Sequence, residues 1–128
     1  MNLTGIHHIA IICSNYKISK EFYVNLMGFP IIREAYRKER DSYKLDLALP
    51  DGTQLELFSF PNAPVRPGYP EAQGLRHLAF QTTDIEAAVE ELKRKGVEVE
   101  PIRVDEFTKG RFTFFSDPDG LPIELYEN

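Results

Sequence analysis

Tryptophan is absent from the 128 residues, cysteine occurs once, and histidine only three times. The lone Cys13 excludes an internal disulfide and suits a reducing compartment. It reads as a small buried thiol rather than a nucleophile, since cysteine is among the most buried residue types. No apolar run approaches the roughly 20 residues that span a bilayer. The opening MNLTGIHHIAIIC lacks both a basic start and a long apolar stretch, so it does not read as a secretory signal and a cytoplasmic location is expected. Basic blocks are missing too. With 15 Lys and Arg against 20 Asp and Glu, the net charge is −5, which argues against nucleic acid or an anionic membrane as the main partner. A small molecule is the partner expected.

What the sequence does have is a repeat. Residues 50–58 read PDGTQLELF and residues 118–126 read PDGLPIELY, 68 positions apart. The same offset lays Gly28 on Gly96, each closing a helix-like segment. The first, over residues 16–27, has Ile18, Phe22 and Leu26 at helical spacing, with Ser14 and Asn15 as candidate caps. The second, over 85–95, has Ile85, Val89 and Leu92 on one stripe. It opens on a possible capping box, Thr83-Asp84-Ile85-Glu86, and closes on Lys93, Arg94 and Lys95 before the glycine. HHIAII and RHLAFQ precede the helices as short strands, one residue out of the 68 offset. Further strands are expected over 31–35 and 44–49 in one half, and over 97–103 and 111–116 in the other. Each half therefore reads strand, helix, three strands. The fold expected is α+β, two βαβββ modules forming a cupped mixed sheet: module 1 over about 4–60, a linker over 61–74, and module 2 over about 75–128. The linker has a proline every third position from Pro61 to Pro70, which favours extended polyproline-like structure.

Alternation along the strands separates two kinds of face. His8, Ala10 and Ile12 share one side of the first strand, and Gln54, Glu56 and Phe58 one side of PDGTQLELF. In the second half His77, Ala79 and Gln81 align, and Glu124 aligns with Tyr126. The opposite, aliphatic sides suit packing against the helices. The remaining sides carry His, Glu, His and Glu at separations of 48 and 47 residues. A strand histidine is ordinarily a core or surface residue. Here both copies repeat the pair on the same parity, and a carboxylate on an inner sheet surface costs several kcal/mol unless paired or bound to a cation. His8, Glu56, His77 and Glu124 are therefore the candidate ligands of one divalent metal, Ni, Co, Zn or Mn. Parity points His7 away from them.

The segments HHIAI, FYVNLMGF, TQLELF, GLRHLAF and FFSDPDGLPIELYE, spread over the whole chain, resemble the vicinal oxygen chelate superfamily. That superfamily includes glyoxalase I, fosfomycin-resistance thiol transferases, bleomycin-binding proteins and extradiol dioxygenases. The resemblance implies paired βαβββ modules around a metal, often in a homodimer. His8, Glu56, His77 and Glu124 match the four-ligand set of bacterial glyoxalase I-like proteins, whereas the thiol transferases and dioxygenases generally use three. Glutathione-dependent glyoxalases usually carry Arg four residues after the first ligand and Asn four after the second. Ile12 and Phe60 stand there instead, so the pocket does not look tuned for glutathione.

The reaction expected is lactoylglutathione lyase-like proton transfer on a substrate with two adjacent oxygens, such as the hemithioacetal of a 2-oxoaldehyde. Glu124 or Glu56 would be the base, with Glu124 preferred. Phe58, Phe60 and Tyr126 would line an apolar pocket on the metal side. Arg37, Arg40, Lys44, Lys109 and Arg111 read mainly as a solvated charged face, with an anionic substrate tail as the alternative. The competing functions are a small-molecule binding or resistance module and a metal-dependent thiol transferase.

Overall fold

Alternating leucines and polar residues, interrupted by glycine-ended helical segments, give each half of the chain one βαβββ module. The computed structural model describes all 128 residues and divides into two compact units, Met1–Val65 and Arg66–Asn128. The boundary falls inside the proline-rich stretch. That stretch is irregular over 63–67 and then turns over 68–71, so it is not extended throughout. No helix is long and apolar enough to cross a membrane.

Unit 1 runs β1 (His8–Cys13), α1 (Tyr16–Lys20), β2 (Ile31–Arg37), β3 (Ser42–Ala48) and β4 (Gln54–Ser59). Its sheet has the order β1-β4-β3-β2, with β1 parallel to β4 and the other neighbours antiparallel. The aliphatic sides of the strands make the core. Leu45, Leu47, Leu55 and Leu57 are fully buried, together with Tyr23 of the helical segment. Asn15 caps α1 by accepting from the Ile18 backbone N–H at 3.1 Å. Beyond Lys20 the helix does not continue as α but winds as a π-helix over Glu21–Leu26, with Met27 N–H bonded to the Phe22 carbonyl. The buried face is rotated from the expected stripe of Ile18, Phe22 and Leu26 toward Ser19 and Tyr23. Ser19, Phe22 and Tyr23 face the core, while Ile18 is exposed. Gly28 then takes φ +83°, the left-handed conformation that ends a helix cheaply only for glycine. Tyr16 ties the helix to β2 and β3: its ring stacks on Tyr43 and its hydroxyl donates to Glu34, which also binds Lys20.

Unit 2 runs β5 (Leu78–Gln81), α2 (Ile85–Arg94), β6 (Arg103–Val104), β7 (Arg111–Ser116) and β8 (Pro122–Glu127). Its order, β5-β8-β7-β6, repeats that of unit 1, again with one parallel pair, β5 with β8. Ile85, Val89 and Leu92 of α2 are buried, as are Ile123 and Leu125 of β8. The cap of α2 is Asp84, which accepts from Ala87 N–H, and not Thr83 as the capping-box pattern suggested. Glu127 adds a second anion there by accepting from Ile85 N–H, and Arg111 holds its other oxygen. These two donors keep the Glu127 carboxyl below its ordinary range. The strand expected over 97–103 shrinks to Arg103–Val104. Pro101 has no N–H to give a ladder, which breaks regular pairing there. Glu100 N–H, bonded to the Phe114 carbonyl, and Thr113 Oγ1, donating to the Glu100 carbonyl, help stitch that stretch to β7.

Leu57→Ala removes a fully buried side chain at the centre of β4. We expect it to lower the unfolding free energy by about 2–5 kcal/mol, read from the midpoint of urea denaturation.

Candidate metal and substrate site

β4 and β8 have the same exposure pattern, a buried residue at every second position. With Leu55 and Leu57 inside, Gln54, Glu56 and Phe58 must project from the other face. Ile123 and Leu125 do the same for Glu124 and Tyr126. The carboxylates are largely shielded, with side chains 12% and 14% exposed. In each unit the strand parallel to the glutamate's own sets an alanine beside it, Ala10 next to Glu56 and Ala79 next to Glu124. Small neighbours leave room above the carboxylate.

A histidine completes each pair. In unit 1, His8 Nε2 lies 3.7 Å from Glu56 Oε1; in unit 2, His77 Nε2 lies 3.1 Å from Glu124 Oε1. His77 stands just before β5, and its ring meets Phe114 edge-to-face at 5.1 Å. The remote nitrogens differ. His8 Nδ1 is 2.9 Å from His7 Nδ1, and His77 Nδ1 is 3.0 Å from Arg76 Nη1. Thus His7, whose parity points it elsewhere, still touches its neighbour's ring.

Two ligands that bind one divalent ion at about 2.0–2.2 Å place their donor atoms about 3–3.5 Å apart. The His77–Glu124 pair already has that separation, and the His8–Glu56 pair needs a small adjustment. Neutral imidazole with carboxylate is also a donor set that such ions accept. Each pair therefore fits half of a four-ligand set. Neither unit gathers three or more His, Cys, Asp or Glu side chains into a metal-holding group of its own.

The surroundings of the two pairs are unlike. Directly opposite Glu56 on β3 is Asp46, which is 2% exposed, and two positions away is Lys44. Asp46 accepts from Lys44 Nζ and from Arg33 Nη2, both at 2.8 Å, and Lys44 lies 3.8 Å from Glu56. Burial pushes the Asp46 carboxyl up, but the bonds from Lys44 and Arg33 outweigh it and hold the group below its ordinary value. At the matching positions of unit 2, β7 carries Phe114 opposite Glu124 and Phe112 opposite Tyr126. Arg103 lies over Phe112, its guanidinium carbon 4.9 Å from the ring centre. Asp46, Arg33 and Arg103 were not among the expected site residues. The tight turn after Leu49, with Gly52 N–H bonded to the Leu49 carbonyl, fixes the pairing of β3 with β4 and was the signal that could have revealed Asp46.

The three expected pocket residues fall into two groups. Phe58 and Phe60 stack with ring centres 5.9 Å apart, and guanidinium groups cover them, so this wall is not purely apolar. Tyr126 stacks on Phe112 at 6.4 Å. Its hydroxyl donates to Asp105 and bonds Thr108. Gly110 packs so closely on it that a Cβ there would lie 2.7 Å from Tyr126 Cε1.

A family profile described as the Glyoxalase/Bleomycin resistance protein/Dioxygenase superfamily matches residues 5–125. The chain belongs to this superfamily. It is 61% identical over 127 residues to YwkD of Bacillus subtilis (strain 168), an uncharacterized protein, covering 99% of both chains. The crystal structure of a glyoxalase family protein from Enterococcus faecalis is 51% identical, with a TM-score of 0.92 over 99% of this chain and 100% of that one. The fold extends to FosX, a fosfomycin resistance protein of Listeria monocytogenes complexed with Mn(II) and a dihydroxypropylphosphonic acid. It is 22% identical, with a TM-score of 0.78 over 99% of this chain and 95% of that one. Members of the superfamily bind small molecules and often a divalent metal.

Because the fold lowers the Asp46 pKa, its ionised form stabilises the protein above the ordinary aspartate value of about 3.9. That contribution is lost as the pH falls through the lower, folded value. Asp46→Asn should therefore lower stability at pH 7 and flatten the acid limb below about pH 4, measured as urea-unfolding free energy against pH.

Proposed function

We propose that the protein is a metal-dependent, glyoxalase I-like lyase or isomerase acting on a small substrate with vicinal oxygens, with His8, Glu56, His77 and Glu124 as metal ligands. The observation that carries this reading is the duplicated pairing of His Nε2 with a shielded Glu Oε1, at 3.7 Å and 3.1 Å. Shielded carboxylates facing away from the core, each beside an imidazole, have a physical reason to be there if a cation joins them. Similarity to a glyoxalase family protein and the Mn(II) of FosX support the same reading. Homodimeric assembly belongs with it, in line with the superfamily.

A divalent ion bound there, Ni, Co, Zn or Mn, supplies Lewis-acid stabilisation of negative charge developing on adjacent substrate oxygens. The chain's own groups do the rest. The histidines stay fixed as ligands, while one glutamate takes a proton from the substrate carbon and returns it one carbon over. Glu124 is the better base: no Lys or Arg pairs with it, whereas Lys44 lies 3.8 Å from Glu56. Phe112, Phe114 and Tyr126 exclude water beside Glu124, which protects the proton in transit.

The same Lys44 contact favours a second reading, a three-ligand thiol transferase in which Glu56 is steadied by lysine and leaves the metal to the other three. A binding or resistance module is the third. The purified protein should hold about one divalent ion per chain by elemental analysis. Glu56→Gln should weaken that binding at least about tenfold if four ligands act, whereas unchanged affinity would favour the three-ligand branch. Glu124→Gln should abolish isomerisation of methylglyoxal hemithioacetals. Absence of turnover with every thiol and each of the four metals would remove the isomerase and leave the binding module.

A further inference from the structure

Most cationic side chains near the candidate site are already neutralised. Arg33 and Lys44 both bind Asp46, and Arg111 is held by Glu127 and Glu86. Lys109 has only the Glu106 backbone carbonyl. In unit 1, Arg37 and Arg40 pair with no carboxylate. They are nonetheless held in place. The Arg37 guanidinium carbon lies 5.0 Å from the centre of Phe58 and 5.7 Å from that of Phe60, and the Arg40 carbon lies 5.1 Å from Phe60. The two rings are nearly parallel, 7° apart. Arg37 Nη2 donates to Ser42 Oγ at 2.9 Å. Asp41, the acid that follows Arg40, accepts instead from the Tyr36 hydroxyl at 2.6 Å.

Stacking over an aromatic face uses the plane of a guanidinium but none of its N–H groups. Two forks are thus fixed in position with most of their donors unspent. Moreover, Arg37 Nε is buried and has no partner. A polar hydrogen withdrawn from water without an acceptor is unfavourable, and a water or a ligand oxygen beside it would relieve that cost. The location ties the cluster to the chemistry. Phe58 shares its face of β4 with Glu56 two residues away, and Phe58 pairs across the ladder with Lys44. At about 3.4 Å per residue the first ring is about 7 Å from the glutamate along the strand.

We propose that Arg37 and Arg40 form a carboxylate-binding subsite, so that the molecule taken by this protein is an anion whose charged tail lies over Phe58 and Phe60. The link to the chemistry rests on the function proposed above, in which Glu56 is a metal ligand; the subsite itself stands on unit 1 alone. A planar carboxylate matches the guanidinium fork in bidentate fashion, and the rings beneath exclude water from one side of the contact.

The test uses the full chain without added metal, labelled with nitrogen-15, and follows the arginine Nε–Hε resonances. Butyrate is the probe, and butyramide, its neutral counterpart, the control at equal ionic strength. The Arg37 and Arg40 resonances should move saturably with butyrate and stay still with butyramide. Arg40→Met, an exposed position whose loss leaves the core intact, should weaken butyrate binding about tenfold, and Arg37→Met at least as much. Resonances that ignore butyrate, or follow butyramide equally, or an unchanged affinity in both variants, would overturn the subsite. Because no metal is present, a failure here leaves the metal-dependent reading standing, and a protein that binds butyrate but no divalent ion sinks only the latter.

Discussion

Everything at the candidate site depends on the leucines of one strand and the aliphatic pair of another. Leu55 and Leu57 have no exposed surface, and neither does Ile123; Leu125 is nearly as deep. A slip of one residue in β4 or β8 would drive Glu56 or Glu124 into the core and bring the aliphatic residues out. Burial of a carboxylate without a partner is unfavourable by several kcal/mol, and exposure of two leucines adds to it. The core therefore fixes which way the acids point. The helices complete this arrangement, Phe22 and Tyr23 in one unit and Ile85, Val89 and Leu92 in the other, by covering the aliphatic side only.

On that common frame the two copies have diverged in character. The position opposite Glu56 holds a buried acid bound to two cations, whereas the position opposite Glu124 holds a phenylalanine. Unit 1 thus presents a face of fixed charges, continued outward by Arg37 and Arg40. Unit 2 presents aromatic rings, with Arg103 laid across them and Tyr126 steadied by the loop from Asp105 to Gly110.

The duplication, the strand parity and the histidine–glutamate pairs were legible in the chain itself, since period-two alternation around fully buried residues is a strong signal. The glycine ends of the helices, Gly28 and Gly96, were legible for a similar reason. What could not be read was whatever depends on local hydrogen bonding. The π-turn over Glu21–Leu26 has no spacing signal, and neither has the choice of Ser19 and Tyr23 over Ile18 for the inner face. Asp84 outcompeted Thr83 as a cap because its carboxylate also benefits from the helix dipole. The strand expected over 97–103 ignored Pro101. Arg103 and Arg33 were unremarkable by type, and only the register of β6 on β7 and of β2 on β3 sets them on the functional face.

The contact between Arg76 and His77 has a further meaning. A guanidinium can only donate, so His77 Nδ1 must offer its lone pair, and the ring proton then sits on Nε2, toward Glu124. An imidazole in that tautomer has no electron pair to give on the glutamate side. The inward nitrogen thus donates to the acid while the outward one is held by a surface side chain, an arrangement that the histidine of the other half, facing His7, does not share.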